Sequence, residues 1–217
     1  RIMSNPSHKV LKDSALCYQA FTLAIIKYSR NDLNSFMEYL LCIITGLFEF
    51  QNPSRYYAGL LLLENLIPIV PDFFTKKLDK IKFILGDLLE HSTTPLIKCH
   101  IFCTFSLLAA MLPDYYVNKF RDDVFNCAND YILDFDDEIT KALITLCEKI
   151  PDFIKMKLGD IICIVDKMFD EQLFNSAFLL LITLIKIFPI NIFNEIDGKI
   201  IQADITINFC KFFIAYI

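Results

Sequence analysis

Cys99, His100 and Cys103 come closest in this sequence to a metal-binding pattern, with His91 a short distance upstream. A structural zinc site needs four thiolate or imidazole ligands in short-spaced pairs. On a helix, Cys99 and Cys103 share a face while His100 points elsewhere, and His91 lies across a turn. Free cysteine in an apolar helix is more often a core residue than a ligand. We therefore expect core packing and assign no metal ligand.

Catalytic and cofactor-binding motifs are equally absent from the sequence. The glycines that a phosphate-binding loop would need are isolated from one another: Gly46, Gly59, Gly86, Gly159 and Gly198. No kinase, hydrolase or protease signature occurs. A cysteine–histidine dyad would need His91 or His100 to meet a distant cysteine. The sequence predicts no catalytic residue, no bound cofactor and no enzyme activity in this segment.

Composition and charge argue against nucleic-acid-binding, membrane-spanning and disulfide-rich classes of protein. The chain has 217 residues, 55% of them hydrophobic, and a net charge of −5, which gives no electrostatic reason to expect nucleic acid. The longest uncharged stretch, Cys99–Pro113, is shorter than the roughly 18 apolar residues of a membrane-spanning helix. The eight cysteines lie in apolar runs rather than in a disulfide framework. We expect a protein of the reducing cytoplasm or nucleus with no membrane span.

A recurring pattern divides the chain into repeats. An apolar helix end, Pro, Asp and two bulky residues recur at Val70–Phe74, Leu112–Tyr116 and Ile150–Ile154, with a weaker copy at Phe188–Asn191. The copies are about 40 residues apart, which is the period of HEAT and armadillo repeats. Proline disfavours helix at the residue before it. We expect Asp72, Asp114 and Asp152 to N-cap the helices that follow, each for about 1 kcal/mol.

A second set of breaks between these turns gives two helices per repeat. First helices are predicted near 11–29, 54–70, 95–111, 137–150 and 170–187. Second helices are predicted near 33–49, 73–90, 115–132, 153–168 and 199–216. The expected fold class is all-α: an α-solenoid of about five HEAT/armadillo-like helix pairs, with repeats near 11–50, 54–91, 95–133, 137–169 and 170–217. We expect residues 1–217 to be a single array that belongs to a longer chain.

Five aromatic residues begin successive second helices and could form a ridge: Phe73, Phe74, Tyr115, Tyr116 and Phe153. Such residues usually pack between repeats, where their large area is buried. The alternative is an exposed binding stripe along the array.

Three segments, in order, resemble the N-terminal HEAT region of the target-of-rapamycin kinases: Arg55–Ile67, Cys99–Phe120 and Glu138–Phe169. The long insertions usual in that region are missing. The resemblance implies a protein–protein interaction scaffold within a serine/threonine kinase, which binds a regulatory subunit that recruits substrates and which supports dimerisation. No residue of the kinase site or of the rapamycin-binding site falls in these segments.

A weaker resemblance to nuclear transport receptors of the importin-β class leaves a second hypothesis open. Those receptors are also stacks of amphipathic helix pairs of this period. The acidic charge would then attract basic cargo. This alternative implies a free-standing transport receptor or HEAT adaptor rather than part of a kinase.

Overall fold

Helices account for nearly all of the chain that the structure describes, which is residues 7–49, 51–92, 94–112 and 122–188 of a computed structural model. No strand occurs in these ranges, so the all-α fold class is confirmed. In chain order the helices are α1 His8–Tyr28, a 3₁₀ turn Arg30–Asp32, α2 Leu33–Phe48, α3 Pro53–Leu66, α4 Pro71–Lys76, α5 Leu78–His91, α6 Pro95–Met111, α7 Asp122–Tyr131, α8 Asp136–Lys149, α9 Pro151–Met156, α10 Leu158–Asp170 and α11 Phe174–Ile187.

The Pro-Asp turns start helices, but not by the predicted capping. Pro71 and Pro151 are the first helical residues, where the missing proline N–H costs nothing. The N-caps are therefore Val70 and Ile150, and neither makes a side-chain cap hydrogen bond. The prediction that Asp72 and Asp152 are N-caps is wrong, because each lies in the first turn and acts through the helix dipole instead. Asp114 and the turn at Pro189 lie outside the described residues.

Each predicted second helix at 73–90 and 153–168 is two helices. The chain breaks at Lys77 (φ −109°, ψ 10°) and at the equivalent Lys157 (φ −103°, ψ 12°). At both, the backbone N–H bonds the carbonyl three residues back, at Phe74 and at Ile154, which tightens the turn. The predicted helix at 115–132 is described only from Asp122 onward, and the one at 199–216 not at all.

The turn between α10 and α11 comes later than predicted. The expected break at Phe169–Asp170 is wrong, because α10 includes both residues. The helix ends in a Schellman motif: Leu173 N–H donates to Met168 O at 2.8 Å, and Gln172 N–H donates to Phe169 O at 3.1 Å. Gln172 takes the left-handed position with φ 63°. Glycine normally fills this position, since it has no Cβ to clash.

We expect Gln172→Gly to stabilise the fold by about 1 kcal/mol, because it removes the left-handed strain of a residue with a Cβ. Urea denaturation followed by circular dichroism measures the change. Gln172→Ala is the control, because alanine keeps the Cβ and should bring no gain. Equal effects of the two substitutions would show that the left-handed backbone carries no strain.

The helices pack in a regular series. The first helix of each pair lies against the first helix of the next, in the order α1, α3, α6, α8 and α11. Second elements pack onto the following first helix, as α2 does on α3, α5 on α6 and α10 on α11. The interface between consecutive first helices is made of fully buried side chains such as Leu60, Leu63, Phe102 and Leu143. The core is thus one continuous layer that runs through the series.

This layer of first helices is strongly curved. Lys12 Nζ of α1 lies 3.2 Å from Glu138 Oε1 of α8, although α3 and α6 come between these helices in the packing order. Three steps of about 8–10 Å in a straight row would place the two helices too far apart for one ion pair. The N-terminal parts of the first helices therefore converge.

The second elements touch one another less than the first helices do. Contacts between α2 and α5 are few, so an open groove separates them. Farther along, α7 and α10 are joined by Lys167, whose Nζ donates to Asn129 Oδ1 at 2.8 Å. Among the helices in the described ranges, none combines the length and apolar character needed to cross a membrane.

Candidate functional site

Where the first helices converge, they bury a polar cluster centred on His100. This side chain of α6 is 2% exposed, and its Nδ1 lies 2.8 Å from Glu64 Oε1 on α3. Thr104, one turn after His100, lies 3.4 Å from Glu64 Oε1, and its single hydroxyl hydrogen is shared between this carboxylate and His100 O at 2.8 Å. An ionised carboxylate only accepts hydrogen bonds, so His100 Nδ1 donates in this pair. The cluster fastens α3 to α6.

Two buried atoms near this point have no hydrogen-bond partner within the described part of the chain: His100 Nε2 and Thr140 Oγ1. A buried polar atom left unpaired costs about 1–3 kcal/mol. Because His100 Nδ1 is engaged by Glu64, its Nε2 must bear this cost as long as nothing else reaches it. The unpaired polar atoms therefore lower the stability of the folded state.

Aromatic rings extend the cluster to the first helix. The Tyr57 ring of α3 lies 4.9 Å from the His100 ring and 5.0 Å from the His8 ring, centroid to centroid, in tilted and edge-on arrangements. Such geometries bring ring edges onto ring faces and are favourable. The series His8, Tyr57 and His100 thus joins α1, α3 and α6.

Lys12 and Glu138 close the cluster toward solvent. Burial is the largest single influence and would raise the pKa of Glu138, but the hydrogen bond and charge of Lys12, together with a backbone hydrogen bond, outweigh it and hold this pKa below its ordinary value of 4.5. Burial likewise works to lower the pKa of Lys12, while Glu138 and Tyr57 oppose it and leave this pKa raised. The pKa of Tyr57 is raised, chiefly by burial. The ion pair therefore favours the charged form of both partners.

The Lys12–Glu138 pair predicts a pH dependence. A carboxyl whose pKa is lowered on folding contributes stability above its unfolded pKa, and this stability is lost as the pH falls through the folded value. We expect Glu138→Gln to lower the free energy of unfolding by less than about 1 kcal/mol at pH 7, since the pair is partly exposed. The difference from the parent protein should become smaller as the pH falls below 4.5, as urea titrations at pH 7 and at about pH 3 will show. An equal difference at both would exclude a contribution from the ion pair.

The cysteines are divided between core and surface. Cys99 and Cys103 are buried, which confirms the core packing expected for them, and Cys127 and Cys147 are buried too, whereas Cys17, Cys42 and Cys163 are exposed although they also lie in apolar runs. Their helices have an open outer face that periodicity alone does not reveal. Cys210 lies outside the described residues.

Two of the buried thiols are poor nucleophiles. A hydrogen bond with Cys99, together with burial, raises the pKa of Cys103 well above its ordinary value, and burial raises that of Cys147 to about 12. Both stay protonated at neutral pH, and the thiolate is the reactive form. In the described ranges, no three His, Cys, Asp or Glu side chains are grouped so that they could hold a metal ion.

Beside the polar cluster, the converging helix starts leave an open depression of 530 Å³. It is lined by residues from four helix pairs, among them His8, Ser54, Tyr57, Thr94 and Asp134. The amides at the start of α3 are already bonded to the Asn52 side chain. The depression has hydroxyl and aromatic groups on its walls and a carboxylate at its rim, so it can bind but shows no preference for an anion.

The aromatic residues of the Pro-Asp turns are buried wherever the structure describes them. Packing between helices is confirmed for Phe73, Phe74 and Phe153, and the binding-stripe alternative is wrong for these three. Tyr115 and Tyr116 lie outside the described residues. Among the second elements that the structure describes, strongly exposed aromatic side chains are Tyr39 and Phe83, and Phe83 is 77% exposed.

Phe83 lies at the groove between α2 and α5, which measures 330 Å³. The apolar lining consists of Phe48, Phe83, Ile84 and Leu88, and charged residues stand at the two ends. The groove was not predicted from the sequence, although the pattern of apolar residues in α5 indicates an exposed aromatic side chain. Ile81, Leu85 and Leu88 mark the buried face of α5, and Phe83 falls on the opposite face.

The structure holds a buried polar cluster and several open hollows. His100 is 2% exposed and is bonded to Glu64 in the interior. The depression and the groove are among the hollows that open to solvent. No protein-family model, no curated protein and no solved structure matches the chain.

Proposed function

We propose that the chain is a HEAT-type α-solenoid that acts as a protein–protein interaction scaffold. The observation that carries this proposal is the serial packing of α1, α3, α6, α8 and α11, each against the next, with second elements packed onto these helices. Repeat proteins are built mainly from contacts between neighbouring units, and here the Lys12–Glu138 pair adds one contact between the first and the fourth pair. A stack of this kind offers long surfaces rather than a deep enclosed pocket, and such surfaces suit whole domains or helices.

Within this class, we favour the HEAT region of a target-of-rapamycin-type kinase. The support is the resemblance of three ordered segments, which in this fold include much of α3, α6 and α8–α10. In that role the chain binds a regulatory partner and supports dimerisation of the parent kinase. Catalysis would belong to another part of the parent protein.

The alternative is a transport receptor of the importin-β class or another free-standing HEAT adaptor. It is supported by acidic residues near the C-terminal ends of four second elements: Glu49, Asp87, Asp130 and Asp170. A carboxylate is unfavourable at the negative end of a helix, so its recurrence there calls for a reason. Attraction of basic cargo would supply one.

The transcript downstream of the codon for Ile217 separates the two hypotheses. A kinase domain with a catalytic-loop Asp and a magnesium-binding Asp supports the kinase scaffold. A stop codon after a few further repeats contradicts it. In that case, salt-sensitive binding of Lys- and Arg-rich peptides supports the transport receptor, and salt-insensitive or absent binding contradicts it.

The scaffold function has its own test. The parent protein is tagged in its own cells, purified at moderate salt and cross-linked, and linked peptides are identified by mass spectrometry. We expect a protein in stoichiometric amount to be linked to the surfaces of the helix pairs. Purification without any stoichiometric partner would contradict the scaffold function.

A further inference from the structure

We propose that the groove between α2 and α5 binds an amphipathic helix of a partner protein, in one direction. The partner helix carries an apolar anchor in its centre, basic residues toward its N-terminus and acidic residues toward its C-terminus. This inference rests on the scaffold function and names the chemistry of one contact. It follows from the shape, the lining and the charges of the groove.

The exposed apolar surface at the groove centres on Phe83. Its side chain is 77% exposed, Ile84 beside it is partly exposed, and Leu88 forms the buried floor. Across the groove, the Phe48 ring lies so close to α3 that a Cβ at Gly59 would be 2.6 Å from it. Glycine inside a helix lowers its stability and is expected where a neighbour approaches closely. The Phe48 ring is thus held in place against α3, so this wall of the groove is formed before a partner binds.

The dimensions fit a short helix. From Lys80 to Asp87 the groove follows about two turns of α5, or about 10 Å. A volume of 330 Å³ is at the lower end of ligand pockets, which span about 300–1,000 Å³, so it takes one or two large side chains. Helix-in-groove recognition uses such anchors at spacings of three, four and seven residues.

Charges at the two ends of the groove have opposite signs. Lys80 lies in the first turn of α5, where the helix dipole is also positive. Glu49 follows the last residue of α2, where the dipole is negative, and Asp87 lies beside it in the lining. His91 Nδ1 is 3.3 Å from Asp87 Oδ1, but the Asp87 side chain remains 62% exposed. The groove therefore has a positive and a negative end.

This polarity sets the direction of the occupant. The positive N-terminal end of a helix is attracted to Glu49 and Asp87, and its negative C-terminal end to Lys80. The occupant then runs antiparallel to α5. Basic residues in its first half and acidic residues in its second half add to the attraction.

Two labelled peptides of about 14 residues, enough for about four turns, test this direction. Both are blocked at their ends and share Leu and Phe anchors. The forward peptide has Lys in its N-terminal half and Glu in its C-terminal half, and the reversed peptide exchanges them. The reversed peptide is the better isolated helix, since its charges suit its own dipole. Tighter binding of the forward peptide cannot then come from helix content.

Fluorescence anisotropy with the full 217-residue chain at low salt is expected to show the forward peptide binding about tenfold tighter than the reversed one. Phe83→Ala should weaken the forward peptide about tenfold, because it removes the exposed anchor contact. Met156→Ala, a change at a 67% exposed residue of α9, is the control and should have no effect. A triple variant, Glu49→Lys, Asp87→Lys and Lys80→Glu, should reverse the preference.

Equal binding of the two peptides, no binding of either, or loss of binding in Met156→Ala but not in Phe83→Ala would each overturn the proposal. These outcomes are distinct from failure of the scaffold function. A stoichiometric partner cross-linked to another surface would leave the scaffold function standing without this groove. Absence of a stoichiometric partner would contradict the scaffold function whatever the peptides do.

Discussion

Replacing Phe102 by alanine is expected to lower the free energy of unfolding by about 3–5 kcal/mol, the usual cost of removing a fully buried aromatic side chain. Phe102 is 0% exposed on α6, the helix that packs against α3, α5, α7 and α8. Its ring meets that of Phe125 on α7 edge-on, with centroids 6.3 Å apart. The cavity would open at the centre of the helix series, where the neighbours on several sides are held in place.

Urea denaturation followed by circular dichroism measures this change. Phe83→Ala is the matched control, since it deletes the same side chain at an exposed site and should change stability by less than about 0.5 kcal/mol. A loss below about 1 kcal/mol for Phe102→Ala would fall outside the range for buried phenylalanine and would contradict the central position of α6.

Replacing Glu64 by alanine is expected to cost about 2–4 kcal/mol, since it leaves a buried polar group without its partner. His100 Nδ1 would lose the carboxylate 2.8 Å away, while Nε2 already has no partner within the described residues. Thr104 would lose its contact with Glu64 as well. One substitution thus removes a shared acceptor between α3 and α6.

Glu148→Ala is the control for this substitution, because Glu148 is exposed on α8 and should be replaceable within about 0.5 kcal/mol. A double variant with leucine at both Glu64 and His100 should recover much of the loss, because two apolar residues leave no buried polar atom unpaired. The comparison is made by urea denaturation. If the double variant is less stable than Glu64→Ala, the cluster contributes through packing rather than through its polar pair.

Local rules predicted the positions of the helices well. The first helix predicted at 95–111 coincides with α6, because Pro95 fixes its start and the apolar run fixes its length. Helix α2 was predicted to one residue for a similar reason. Residues that start or stop a helix act on their immediate neighbours, so the sequence alone carries this information.

Features that depend on neighbouring geometry were not predictable in the same way. The breaks at Lys77 and Lys157 fall in short polar stretches, residues 75–80 and 155–160, which a continuous helix would also tolerate on its exposed face. The pairing of His100 with Glu64 joins residues 36 positions apart and depends on how two helices are turned. The curvature that brings Lys12 to Glu138 is a sum of small rotations between pairs. The candidate groove depends on the same geometry.

The curved series of helix pairs, on which both proposals depend, can be tested directly by zero-length carbodiimide cross-linking of the monomeric chain. This reagent joins an amine to a carboxylate only where the two are in contact. We expect a link between Lys12 and Glu138, whose charged atoms are 3.2 Å apart. This link should be lost in Glu138→Gln. Lys77 and Glu38, at 2.6 Å in neighbouring helix pairs, provide the positive control. A Lys77–Glu38 link without any Lys12–Glu138 link would contradict the curved arrangement.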